Sequence, residues 1–84
     1  MEALDGNAIA GALRVAFGEE MTTATGTCAS CGTTSLLATL LVYMRAPGIV
    51  ARCPACGDVA LVLVEVRGYL AVDLRGLTAM KHPV

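Results

Sequence analysis

Four cysteines carry the chemistry that this chain can do, and they come as two matched pairs. Cys28-x2-Cys31 is followed, after 21 intervening residues, by Cys53-x2-Cys56. Two intervening residues let both sulfurs of a pair turn towards one tetrahedral ion at about 2.3 Å. Two such pairs match a four-cysteine zinc site, with a gap a residue or so beyond the usual range. The neighbouring residues suit the same turn. Gly32 and Gly57 follow the second cysteine of each pair, where the backbone often needs positive φ. Pro54 presets φ inside the second pair, and Arg52 stands beside it as a counter-charge to thiolate.

Other chemistries for the same sulfurs fit less well. An iron site of the rubredoxin kind uses an identical ligand set. Rubredoxins, however, rest on an aromatic core, and this chain has only Phe17, Tyr43 and Tyr69. A reactive dithiol belongs in a βαβ context that neither pair has. Permanent disulfides require an oxidising compartment, which nothing in the sequence indicates.

No other residue set forms a constellation. His82, the single histidine, lies near the end of the chain and reads as a solvated tail residue. Asp58, Glu65 and Asp73 are dispersed, with no reason to pair as acid and base. The hydroxyls from Thr22 to Ser35 have no histidine and carboxylate to activate them. Gly6 and Gly11 do not follow a strand, as a phosphate loop would require. The expectation is a non-enzymatic protein with no catalytic residue, no small-molecule substrate and one structural Zn²⁺.

Elements must bring the two pairs together. Leu4, Ile9, Leu13 and Phe17 recur at helical spacing, and alanines 8, 12 and 16 widen the stripe. The spacing predicts a helix from Asp5, its N-cap, to about Phe17, stopped by Gly18. Gly6 and Gly11 weaken it. Beyond Thr22 the pattern turns to strands: Thr22–Thr27, Leu36–Met44, Ile49–Arg52, Val59–Val66 and Tyr69–Leu74. Arg45-Ala46-Pro47-Gly48 suits a type II turn, and Gly68 a bulged hairpin turn. Thr78 to Val84 shows no pattern and reads as a fraying tail.

The strand candidates are apolar at both parities. Leu36, Ala38, Leu40, Val42 and Met44 alternate with Leu37, Leu41 and Tyr43, and Val59–Val64 is apolar throughout. A sheet with one wet face alternates apolar and polar. Both faces are therefore expected to be buried, one of them by the N-terminal helix. A further partner, another protein or a second copy, would cover the other.

Composition narrows the class. With 84 residues, 56% hydrophobic and 15% charged, the chain reads as one globular domain near the size where a core alone gives marginal stability and metals or disulfides commonly make up the shortfall. Formal net charge is −1, and four thiolates on Zn²⁺ add about two negative charges, which disfavours nucleic-acid binding by bulk electrostatics. A local patch of Arg45, Arg52, Arg67 and Arg75 is the one route to it, although all four sit at strand ends or turns and read as solvated. Glu2 and Asp5 stand where a secretory signal carries positive charge, and each apolar run is too short to span a membrane. A cytoplasmic location is expected.

The chain resembles a family of short actinobacterial proteins classed as a domain of unknown function. The resemblance is carried by Leu4-Asp5-Gly6-Asn7-Ala8-Ile9-Ala10-Gly11, Thr27-Cys28-Ala29-Ser30-Cys31-Gly32, Arg45-Ala46-Pro47-Gly48, Arg52-Cys53-Pro54-Ala55-Cys56 and Val72-Asp73-Leu74-Arg75-Gly76. It implies a zinc-ribbon-like protein with Cys28, Cys31, Cys53 and Cys56 as ligands, and transfers no activity. The combined expectation is an α+β fold. It comprises an N-terminal helix (1–20), a small antiparallel zinc-ribbon-like sheet (22–76) and a tail (77–84). The protein would act as an adaptor or assembly factor. The alternatives are a nucleic-acid-related ribbon and an iron electron-transfer protein.

Overall fold

The structure, a computed structural model, describes residues 4–45 and 48–82. Asp5 begins the N-terminal element as expected, its carboxylate accepting a 3.0 Å hydrogen bond from the Asn7 N–H. The first turn, Gly6–Ile9, is 3₁₀, and helix α1 follows over Ala10–Phe17. Gly6 proves to be a contact residue, because a Cβ there would run into the Leu37 carbonyl. Gly18, at φ 76°, ends α1 by donating its N–H to the Arg14 carbonyl at 2.7 Å. Ile9 and Leu13 are buried on the inner face, while Val15 stays 76% exposed on the outer one.

Among the described residues seven strands follow: β1 (Thr25–Cys28), β2 (Thr34–Leu36), β3 (Leu41–Arg45), β4 (Gly48–Arg52), β5 (Val59–Val66), β6 (Tyr69–Asp73) and β7 (Leu77–Lys81). They make two antiparallel sheets, of order β2-β1-β7 and β3-β4-β5-β6, where the sequence suggested one. The fold is thus a small α+β arrangement with one N-terminal helix.

Three expectations need correction. Leu36–Met44 is not one strand, because a 3₁₀ turn at Leu37–Thr39 separates β2 from β3 and carries the chain between sheets. Leu37 is wholly buried there, its N–H donating to the Ala24 carbonyl at 2.9 Å, and the Thr39 hydroxyl donates to the Leu36 carbonyl at 2.7 Å. The tail does not lack structure either, since Leu77–Lys81 is β7, paired with β1. In the β5–β6 hairpin both loop residues, Arg67 (φ 49°) and Gly68 (φ 82°), have positive φ. That favours a two-residue type I′ turn over a bulged one. The turn expected at Arg45–Gly48 has its centre, Ala46-Pro47, outside the described residues, although Arg45 pairs with Gly48.

One core lies between α1 and the four-stranded sheet, and Leu77 and Met80 of β7 pack against its edge. Ile9, Leu13, Met21, Ala24, Leu37, Leu40, Val42, Ala51, Ala60, Leu61 and Leu63 form it. In the four-stranded sheet the core takes one face, with Val42, Ala51 and Leu61 in register across β3, β4 and β5. The other face also lines up across the strands. Tyr43, Val50, Val62 and Asp73 are one row; Gly48, Val64 and Ala71 sit in the next; Val66 pairs with Tyr69 beyond them. None of these side chains belongs to the core; Tyr43, Val50, Val62 and Val64 are half-buried, and Val66 and Tyr69 are 49% and 78% exposed. Of the two faces expected to be covered, α1 and the smaller sheet cover one.

Candidate metal centre

Each sheet delivers one cysteine knuckle. Cys28–Gly32 joins β1 to β2, and Cys53–Gly57 joins β4 to β5. The two turns repeat one hydrogen-bond pattern. Gly32 and Gly57 donate their N–H groups to the Cys28 and Cys53 carbonyls, both at 2.9 Å. The Cys28 and Cys53 N–H groups in turn donate to the Thr33 and Asp58 carbonyls, at 2.9 and 2.8 Å. Both glycines have positive φ, 76° and 81°, as the turn chemistry expected. Register shifts at Thr27/Cys28 and Ala51/Arg52 take both strands off their ladders where the knuckles begin.

The four sulfurs converge to within 4.8 Å of one another. Two of the approaches cross between knuckles, Cys28 to Cys56 at 3.6 Å and Cys31 to Cys53 at 3.7 Å. A tetrahedron with metal–sulfur bonds of about 2.3 Å has edges of about 3.8 Å. A disulfide would hold its sulfurs at about 2.05 Å. The cysteines are free thiols arranged with the spacing of a ligand cage. Cys28 and Cys53 are buried, whereas Cys31 and Cys56 face solvent.

Electrostatics at the cluster favour a cation. The Cys31 thiol is lowered to about 6, chiefly by the Thr33 hydroxyl, 3.3 Å from its sulfur, and by the Thr33 N–H. Hydrogen bonding from the Asp58 N–H favours the Cys56 thiolate, but desolvation and the three neighbouring sulfurs outweigh it and push Cys56 up to about 12. Four thiolates in so small a space repel one another, and a divalent ion removes that obstacle. The Ala55 N–H points at Cys53 Sγ at 3.4 Å. Arg52 braces the second knuckle, its guanidinium donating to the Gly57 carbonyl at 2.9 Å and lying 6.0 Å from the Tyr43 ring centroid.

Among the described residues these cysteines are the one cluster of three or more groups able to hold a metal. His82 is not part of it. Its Nε2 is 2.6 Å from the Glu20 carbonyl and its Nδ1 4.0 Å from the Glu19 carboxylate, tying the end of β7 to the segment after α1. Its expected place in a loose tail is corrected accordingly. Arg75 is paired with Asp73 at 2.7 Å. Arg52 and Arg75 are thus engaged within the protein, while Asp58, Glu65 and Asp73 form no cluster.

Sequence reasoning missed Thr33 and Gly76. Thr33 lies two residues after Cys31, a position with no pattern of its own. Gly76 accepts a 2.9 Å hydrogen bond from the Ala29 N–H of the first knuckle. A Cβ at Gly76 would strike the Val59 and Ala60 carbonyls of β5. It therefore wedges the β6–β7 crossover between the two sheets beside the cysteines.

The model of the family of unknown function DUF6510 matches residues 1–84, and the chain belongs to that family. No curated protein and no solved structure matches it.

Proposed function

We propose that this member of the family is a small, non-enzymatic zinc protein, and that it serves as a protein–protein adaptor or assembly factor. Cys28, Cys31, Cys53 and Cys56 would hold one structural Zn²⁺. The observation that carries the reading is the convergence of four sulfurs from two alike knuckles, one on each sheet. Four protein ligands complete a tetrahedron and leave no position for substrate or water, which is the mark of a structural site. Such an ion would contribute folding free energy by joining the sheets, in the manner of a zinc ribbon. The adaptor role is supported by the face of the larger sheet turned away from the core, where half-buried Tyr43, Val50, Val62 and Val64 adjoin the exposed Val66 and Tyr69.

Elemental analysis of protein purified without added metal tests the ion, with one zinc per chain expected. Iron would give visible absorption where the zinc protein is colourless, and its presence would replace the zinc reading by an electron-transfer one. The location follows the same proposal: reduced thiols suit the cytoplasm. Among the described residues, no helix is long and apolar enough to cross a membrane.

A further inference from the structure

The partner of the open sheet face follows from the face's own pattern, on the premise that the face is an interface. We propose that a second copy of this chain packs on it, sheet against sheet, about a two-fold axis running along the strands.

Such an axis lays β6 of one copy over β3 of the other, and β5 over β4, with the rows kept in register. Val50 then faces Val62 of the second copy, and Val62 faces Val50. Gly48, with no side chain, lies opposite Val64, so a hollow meets a methyl-bearing knob. Tyr43 comes opposite Asp73, the carboxylate at the far end of its own row. Arg52, which already lies by the Tyr43 ring, becomes a diagonal neighbour of the same carboxylate. The Tyr43 hydroxyl and the Arg52 guanidinium can both donate to it, and Asp73 keeps its bond to Arg75. Every contact occurs twice, as an isologous interface requires. Aligned packing within about 30° is the usual geometry of two twisted sheets.

The face also sets the strength of the association. Four strands about 4.8 Å apart and about five residues of about 3.3 Å each span roughly 19 by 17 Å. The pair therefore buries less than the roughly 1,200 Å² at the lower bound of standard interfaces. A reversible, concentration-dependent dimer is expected.

Sedimentation equilibrium of the metal-loaded full chain, from micromolar to millimolar concentration, tests this. The weight-average mass should rise from 8.6 kDa towards twice that value. Val62→Glu and Gly48→Leu should each hold the mass at the monomer value, whereas Val15→Glu, on the outer face of α1, should leave the rise intact. A wild-type mass that stays monomeric throughout overturns the proposal. So does a dimer that survives both face substitutions, or one that Val15→Glu abolishes. If Val62→Glu fails to fold by circular dichroism, the milder Gly48→Leu decides the matter. Metal content of the same samples reads the zinc proposal separately, so either can fail alone.

Discussion

At the scale of single residues, the cysteines differ in burial and in the company they keep. Cys28 and Cys53 are enclosed and Cys31 and Cys56 face water, yet a four-ligand site needs all of them. Cys→Ser at Cys28 or Cys53 should abolish stoichiometric metal binding and leave the chain unfolded, read by elemental analysis and circular dichroism. The pH dependence follows from the thiols. The folded-state value for Cys31, about 6 against 9.0 for a free thiol, means its contribution is fully present above pH 9 and lost as pH falls through about 6, whereas Cys56, raised to about 12, acts in the opposite sense and contributes below pH 9. Protons compete with metal for the same sulfur, so acidification should release the ion. Thr33→Val removes the hydroxyl that favours the Cys31 thiolate and should move the release midpoint to higher pH, followed with a chromophoric chelator. The Cys-x-x-Cys spacing made the cysteine cluster legible, because it reports local turn geometry. Thr33 was not, because its role depends on a side-chain rotamer.

At the scale of elements, glycine reads differently in each place. Gly6 and Gly11 both appear as weak points of a helix. Gly11 has open space where a Cβ would go, so Gly11→Ala should stabilise the protein by about 0.5–1 kcal/mol. Gly6→Ala should destabilise it, because Cβ would meet the Leu37 backbone. Gly76→Ala should lower stability and metal affinity together, since that residue separates the β6–β7 crossover from β5 and bonds the first knuckle. Thermal melts of the three variants rank these effects. The strand break at Leu37–Thr39 escaped the sequence because period-two alternation reveals a break only where the two parities differ in polarity. Here Leu36 to Met44 is apolar at nearly every position.

At the scale of the whole molecule, two sheets are joined by the cysteine cluster, by the crossover at Gly76 and by the packing of Leu77 and Met80 against the core. A core of this size leaves a narrow margin. Leu61→Ala, at a wholly buried site, should cost about 2–5 kcal/mol and unfold the chain or bring it close to unfolding. Chelation should lower the melting temperature far more than the loss of any one surface hydrogen bond, because the proposed ion would tie a knuckle of each sheet to the other at one point.

The sequence by itself determined the two cysteine knuckles, the N-terminal helical segment with its Asp5 start and Gly18 stop, and most strands, since turn chemistry and periodicity act over a few neighbouring residues. It also carried the two-sided apolar pattern of the strands, though not its resolution. Only the tertiary structure decided that the strands divide into two sheets, that the tail closes the smaller one, and that one apolar face is left outside. Those outcomes depend on which distant segments pair, a choice made by competition for a single core.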